Sequence, residues 1–329
     1  MAHLISIIIP CHNGAATIEQ CLASVLASKY SHFEVIVVDD CSEDDSVAII
    51  KKFPCRLIAL ANHAGAAQAR NIGAEQSRGE ILFFTDADCV LEKDTLAIAA
   101  ISIAHSGVDT IVGGTYTKKP YDRGFFNSFQ SLYIHYSETK NCAHPDYLAT
   151  HGLVMSRALF KKSGGFPADF MPILEDVEFS HRMKKKGYTL RINPHLLVRH
   201  IFNYSLERSL RNAIKKSTYW TLYSMRNKDL TADSGTASIE LKVNVVTLFL
   251  ILTLLATATI LPSFAPVYIA VLLLCVNIYT SRKLFALFYK TEGFLYMIKA
   301  LMYYLLIYPL AVSIGAVRGM LLFAAGKYK

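Results

Sequence analysis

Between Val243 and Thr280 the chain carries no Asp, Glu, Lys or Arg. As one helix rising 1.5 Å per residue, that run would be about 57 Å long, nearly twice the hydrocarbon thickness of a bilayer. Pro262 and Pro266 interrupt it near the middle, and a residue without an N–H ends or kinks a helix. The run therefore reads as two spans, Val243–Leu261 and Phe264–Thr280, and a third apolar run, Ala300–Val317, is long enough to cross again. This excludes a wholly soluble chain. It predicts an integral membrane protein, whose 53% hydrophobic and 18% charged residues are unevenly spread.

Charge gives the expected topology. The loop 262–266 is uncharged, whereas Arg282, Lys283, Lys290 and Lys299 lie between the second and third runs. An excess of Lys and Arg marks the cytoplasmic side, so that loop and the N-terminal 240 residues are expected there. Met1-Ala2-His3-Leu4 has no basic leader, and no signal peptide is expected. Lys327 and Lys329 fall on the opposite side if there are three spans. Either the third run is re-entrant around Pro309, or the bias there is too small to matter. Seven scattered cysteines without a Cys-x-x-Cys suit reduced thiols. His135, Cys142, His144 and His151 match no standard zinc spacing. The net charge of +8 has no nucleic-acid motif beside it, so an anionic membrane surface, not nucleic acid, is the expected partner.

The N-terminal part alternates between two periods. Leu4–Pro10, Phe33–Val38, Arg56–Leu60 and Ile81–Thr85 are short, β-branched or apolar runs of the kind that form buried strands. Helical periodicity follows each of the first three: Ile18 to Leu26 after a capping-box spacing at Thr17–Gln20, a short helix to Lys51 capped by Ser42 and Asp45, and Ala64–Gln76. Such alternation predicts an α/β fold with a parallel, doubly wound sheet. Ligands then bind at the carboxyl ends of the strands, where Pro10, Asp39–Asp40 and Asp86–Asp88 fall.

Asp86 and Asp88 bracket one alanine at the exit of the strand Ile81–Thr85. At i and i+2 two carboxylates in an extended chain face one side, and they repel unless a cation lies between them. A hard divalent ion, Mg2+ or Mn2+, fits that requirement; a plain turn or helix cap is the competing reading.

Taken together, Ile-Pro-Cys-His-Asn (9–13), Val-Val-Asp-Asp-Cys-Ser-Glu-Asp (37–44), Ala-Arg-Asn-Ile-Gly (69–73), Asp-Ala-Asp (86–88), Gly-Gly-Phe (164–166) and Leu-Glu-Asp-Val-Glu-Phe (174–179) form an ordered set. With it the chain resembles the family-2 glycosyltransferases of GT-A fold over residues 4 to 205, and in layout the bacterial members with C-terminal transmembrane helices. The resemblance implies a catalytic domain over 1–202, a connecting amphipathic segment over 203–242 and a membrane domain over 243–329, in a bacterial inner membrane.

It also implies roles. Pro10, Asn13, Asp39, Arg70 and Asp86 would bind the nucleotide-sugar donor, with Asp39 taking a hydrogen bond from the base, uridine being the family's usual one. Asp88 would hold the metal, with Asp86 and His200 beside it. Asp176 would be the general base, with Glu175 second choice. Each has a structural alternative: a helix cap for Asp39 and for the 175–176 pair, a surface pair with Glu75 for Arg70, and a packed side chain for His200. A base is needed only for a hydroxyl acceptor, because a phosphate is already ionised.

The expected function is therefore inverting transfer of one sugar to a lipid or glycan hydroxyl at the cytoplasmic membrane face. The Gln-x-x-Arg-Trp signature of processive synthases is missing, since Ser217-Thr218-Tyr219 precedes Trp220. Polyprenyl-phosphate transferases usually follow Asp-x-Asp with Leu-Gln, where Cys89-Val90 stands here, although they share the layout. That activity and a non-catalytic membrane scaffold are the alternatives. A nucleotidyltransferase would need a glycine-rich loop, and Pro10–Ala15 has only Gly14. Phe202–Lys228, with Arg208, Arg211, Lys215 and Lys216 on one side, and Ser281–Met297 are expected to lie on anionic headgroups or to pack as ordinary amphipathic helices.

Overall fold

The structure, a computed structural model, describes residues 3–168, 170–260 and 263–327. Met1, Ala2, Leu261, Pro262 and Lys329, which figure in the sequence reading, lie outside these. The chain divides into two compact units, one formed by 1–123 with 138–203 and the other by 124–137 with 204–329.

The first unit is built on one mixed sheet of eight strands. These are β1 (Ile5–Cys11), β2 (Phe33–Asp39), β3 (Arg56–Ala59), β4 (Ile81–Phe84), β5 (Cys89–Leu91), β6 (Thr110–Tyr116), β7 (Leu153–Ser156) and β8 (Thr189–His200), in the order β3-β2-β1-β4-β7-β6-β8-β5. The first four are parallel, as the strand–helix alternation predicts. The sheet is not parallel throughout. β7 runs antiparallel to both β4 and β6. A parallel connection needs a crossover helix packed on the sheet. The helix between β6 and β7, Phe125–Thr139, falls mostly in the other unit, so β7 enters without one.

Register sets the site. Cys11 pairs with Asp39, and Asp39 with Ala59, so β1, β2 and β3 end level. Beyond β4, Asp86 and Asp88 emerge at the same edge. β5 then pairs antiparallel with β8, Cys89 opposite His200, and Ile201 N donates to the Asp88 carbonyl at 2.9 Å. Cys89 and His200, 111 apart in sequence (200 − 89), thus become neighbours. β1 and β4 are buried along their whole length, Phe83 and Phe84 fully, and each such side chain contributes roughly 1.5–3 kcal/mol.

Two helix starts differ from expectation. Thr17 makes no side-chain cap; Thr17 N and Ile18 N both donate to the Gly14 carbonyl at 2.9 Å, so a backbone turn opens that helix. Asp45 makes no side-chain cap on the helix Ser46–Ile50, whereas Asp44 Oδ1 accepts from Ser46 N at 3.0 Å.

In the second unit, Ile239–Ala258 and Phe294–Ala324 are long and apolar enough to cross a membrane. Ala265–Thr280 and Arg282–Glu292 are bent by 62° where they meet, and make a third candidate if the pair is one span. The third run is one continuous helix around Pro309, not re-entrant. It adapts through a π-helical segment, Tyr303–Ile307. With i→i+5 bonding there, the Tyr304 carbonyl would face the missing N–H of Pro309. Asn244 Nδ2 supplies the donor instead at 2.5 Å, and Asn277 Nδ2 donates to Asn244 Oδ1 at 2.8 Å.

Leu206–Asn227 packs along this helix, meeting it with Ser217, Thr218 and Thr221. Gly315 and Gly319 allow the approach: a Cβ on Gly319 would lie 2.4 Å from the Thr218 carbonyl oxygen, the close contact that small-xxx-small spacing provides.

Candidate active site

Pro10, Asn13, Arg70, Asp86, Asp88 and His200 line one cavity of about 570 Å3 in the first unit. Arg70, carried by the helix Ala66–Glu75, is 4% exposed. Its Nη2 donates to Asp86 Oδ1 and its Nη1 to Glu175 Oε1, each at 2.7 Å. It therefore makes no surface pair with Glu75. Two carboxylates hold this cation and raise its already high pKa against the burial that opposes it. Arg70 ties the exit of β4 to the start of the helix Glu175–Lys185.

A second tie lies beside it. The Asn71 amide donates to the Phe166 carbonyl and accepts from Phe166 N, both at 2.8 Å. Gly165 has φ +73, and a Cβ there would meet Asn71 Oδ1 at 2.7 Å. The Ala-Arg-Asn and Gly-Gly-Phe motifs are thus two faces of one joint.

The helix Glu175–Lys185 begins after Leu174, whose φ of +77° is left-handed. A non-glycine residue held there costs on the order of 1–3 kcal/mol, and it sets the direction of the next two carboxylates. Glu175 is engaged by Arg70. Among the described residues, Asp176 accepts only from its neighbour Val177 N at 2.9 Å. Burial, reinforced by the adjacent Glu175 and opposed by Arg70, pushes Asp176 up to about 7.

Across the cavity, His200 Nε2 stands 3.3 Å from Asp88 Oδ2. Burial works against the Asp88 carboxylate, but His200 outweighs it and holds the group below its ordinary range. Ligand atoms of Asp86, Asp88 and Cys89 lie within 4.8 Å of one another. Carboxylates with an imidazole beside them suit Mn2+ or Mg2+; the Cys89 thiol is buried and held protonated by that burial and by Asp88. The donor set fits a hard divalent ion.

Asp39, at the end of β2, is 2% exposed and is not on the wall of that cavity, where Asp40 stands instead. Oδ2 accepts from Ser42 N at 3.1 Å, while Oδ1 has no partner among the described residues. Asn13, at φ 51°, accepts from Glu43 N with its side chain and holds the turn after β1 against the turn after β2. Pro10 lies within β1, opposite Val38 of β2, and Cys11 ends the strand.

Sequence reasoning passed over three features. Asp40 accepts from Ala64 N and Gly65 N at 2.7 and 2.8 Å, fixing the segment that carries His63. His12 and His63 face each other at 4.4 Å on the cavity wall. Glu138 and His151 form a buried pair, His151 Nε2 lying 3.5 Å from Glu138 Oε2 with Tyr116 stacked on the imidazole. Burial disfavours the charged imidazole, but Glu138 raises its pKa overall. The second Asp of Asp39–Asp40 was a visible signal; the other pairs have no sequence spacing to betray them. Among the described residues, His135, Cys142, His144 and His151 do not come together as a ligand cluster.

An eight-stranded mixed sheet whose strand ends present an Asp-x-Asp to a cavity defines a GT-A-type nucleotide-sugar-transferase fold. Residues 6–164 match glycosyl transferase family 2, and over that segment the chain is similar to the family. It is 30% identical over 196 residues to the glycosyltransferase AglE of Haloferax volcanii, covering 56% of this chain and 63% of that protein. It is 28% identical over 131 residues to the glycosyltransferase GlyG of Streptococcus pneumoniae, covering 38% and 44%. The matched region thus spans less than two thirds of either relative. Among solved structures, the mannosyltransferase PcManGT of Pyrobaculum calidifontis, in complex with GDP-Man and Mn2+, shares the fold at 17% identity. Its TM-score is 0.58, with 96% of this chain and 86% of that one covered.

Proposed function

We propose that the chain is a metal-dependent, inverting glycosyltransferase of a bacterial inner membrane. It moves one sugar from a nucleotide diphosphate donor, with a UDP-sugar as first candidate, to a lipid or glycan hydroxyl at the cytoplasmic face. Residues 1–202 would be the catalytic domain, 203–242 the connection and 243–329 the membrane domain. The observation that carries this reading is the arrangement of Asp86, Asp88 and His200 on one cavity, joined through Arg70 to the helix that presents Asp176.

Asp39 Oδ1, buried without a partner among the described residues, would accept an N–H from the base. An orphaned buried acceptor costs about 1–3 kcal/mol, which a base N–H offsets. Asp88, with Asp86 Oδ2 and His200, would hold the divalent ion. When bound, that ion neutralises the charge developing on the leaving diphosphate.

Asp176 would take the proton from the acceptor hydroxyl. The oxygen then forms its bond to the anomeric carbon on the face opposite the bond to phosphate, which breaks with its electron pair and leaves as nucleoside diphosphate. A carboxyl whose pKa lies at about 7 is poised for this transfer at neutral pH. Glu175 fits worse, because its carboxylate is committed to Arg70. The raised Asp176 also favours a hydroxyl over a phosphate acceptor.

The test is to incubate detergent-solubilised protein with Mn2+, a panel of UDP-, GDP- and dTDP-sugars and membrane lipid extract, and to assign the anomeric configuration of the product. An inverted glycoside stable to mild acid is expected. A product cleaved by mild acid would place the acceptor among lipid phosphates. No product with any donor would favour a non-catalytic membrane scaffold.

A further inference from the structure

His12 and His63 stand on the wall of the cavity in the first unit, and the proposed chemistry uses neither. Both are exposed, and both are held from behind by one buried residue, Asp40. His12 Nδ1 lies 2.8 Å from the Asp40 main-chain carbonyl oxygen, and His63 Nδ1 lies 3.0 Å from Asp40 Oδ2. Carbonyl and carboxylate oxygens only accept, so each Nδ1 carries a proton and donates it. That fixes the tautomer: in the neutral ring, each Nε2 keeps its lone pair. Among the described residues nothing bonds to His63 Nε2, and His12 Nε2 meets only the Asn13 amide nitrogen, at 3.3 Å.

Main-chain bonds hold this frame. Asp40 N donates to the Cys11 carbonyl at 2.7 Å, and the Asp40 carboxylate accepts from Ala64 N and Gly65 N. Asn13 accepts from Glu43 N with its side chain and donates its own N–H to Ser42 Oγ, which pins the turn next to His12. The two ring centroids are 4.4 Å apart, and ligand atoms of His12, Asp40 and His63 lie within 4.8 Å of one another.

We propose that His12 and His63 form a binding site for a divalent transition ion, with Zn2+ as its representative, ligated by the two Nε2 atoms. Asp40 is not a ligand: its side chain is 3% exposed, and its oxygens already accept from Ala64 N, Gly65 N and His63 Nδ1. It is the outer partner that orients both rings and, behind His63, raises the basicity of the ligand. Water fills the remaining positions. Imidazole suits Zn2+, Ni2+ and Cu2+, whereas carboxylate and water suit Mg2+ and Mn2+. One cavity thus offers two chemically different metal sites, a nitrogen pair at His12 and His63 and an oxygen set at Asp86 and Asp88. A bare ring contact is the competing account, and it has no need for both Nδ1 atoms to turn to the same residue.

The inference stands apart from the proposed reaction, because it concerns ion binding without nucleotide. The full chain, purified in detergent, is titrated calorimetrically with Zn2+ in excess Mg2+. One Zn2+ per chain is expected at micromolar concentration, and Mn2+ should not displace it. His12→Phe and His63→Phe keep a ring and lose a ligand. Each should weaken Zn2+ at least about tenfold, the least that a lost outer partner costs. Asp88→Ala should leave this Zn2+ in place, which separates the site from the carboxylate pair. Should one histidine variant fail to fold, the other decides. Substoichiometric Cu2+ should show two imidazole ligands in the wild type by electron spin echo modulation, and one in either variant. Zn2+ bound at millimolar concentration, an adventitious ion only, would overturn the proposal. So would a His63→Phe variant with wild-type affinity, or loss of the Zn2+ in Asp88→Ala.

Discussion

Replacing Asp176 by Asn should stop transfer and, above neutral pH, stabilise the fold. In the protein Asp176 titrates at about 7 against an ordinary 3.8. Between those values the folded chain binds a proton that the unfolded chain has released. The unfolding free energy of the wild type therefore falls as pH rises from about 4 to about 7, and the penalty is complete above the folded value. About three pKa units correspond to on the order of 4 kcal/mol, the most that denaturant should read. Asn has the same shape and no such titration. The difference in stability between variant and wild type should grow from pH 4 to pH 8, read by denaturant midpoint in detergent. Transfer should drop at least roughly 10²-fold, the usual worth of a general base, and wild-type turnover should rise with pH through about 7. An active Asn variant, or a pH-independent stability difference, refutes the reasoning.

Other outcomes follow from the same geometry. Asp88→Ala should weaken nucleoside diphosphate binding in a manner that depends on Mn2+ concentration, measured by calorimetry; an equal loss without metal would contradict the ligand assignment. Arg70→Met leaves Asp86 and Glu175 without their shared cation, and should cost about 3–5 kcal/mol in denaturant unfolding. Asn244→Leu strands the Tyr304 carbonyl and should lower stability in detergent by about 1–3 kcal/mol. Gly319→Leu, which cannot fit at 2.4 Å from the Thr218 carbonyl oxygen, should lower the thermal midpoint more than Ala at the same position.

What the sequence made legible is local. Strands β1, β2 and β4 stand out as apolar runs, and Asp86, Asp88 and His200 line one cavity. The antiparallel entry of β7 is not legible, because its pairing with β4 and β6 joins segments far apart in the sequence. Nor is the bracket on Arg70. Glu175 lies 105 residues away, and no periodicity links the two positions. The capping-box spacing at Thr17–Gln20 misled because backbone donors at Thr17 and Ile18 already share the Gly14 carbonyl. Propensity read the helix correctly and its start wrongly. Pro309 suggested a break, whereas a π-helical segment and the Asn244 amide satisfy the backbone around it.

The central claim, that the cavity bearing Asp86, Asp88 and His200 binds a nucleotide diphosphate through a divalent ion, is tested most directly by calorimetric titration. UDP, GDP and dTDP would each be added to the detergent-purified chain with and without Mn2+. The account predicts that one of them binds only with metal, that Asp88→Ala abolishes this, and that Asp176→Asn leaves it within a few-fold of wild type. Binding that ignores metal, or no binding of any of the three to folded protein, would contradict it.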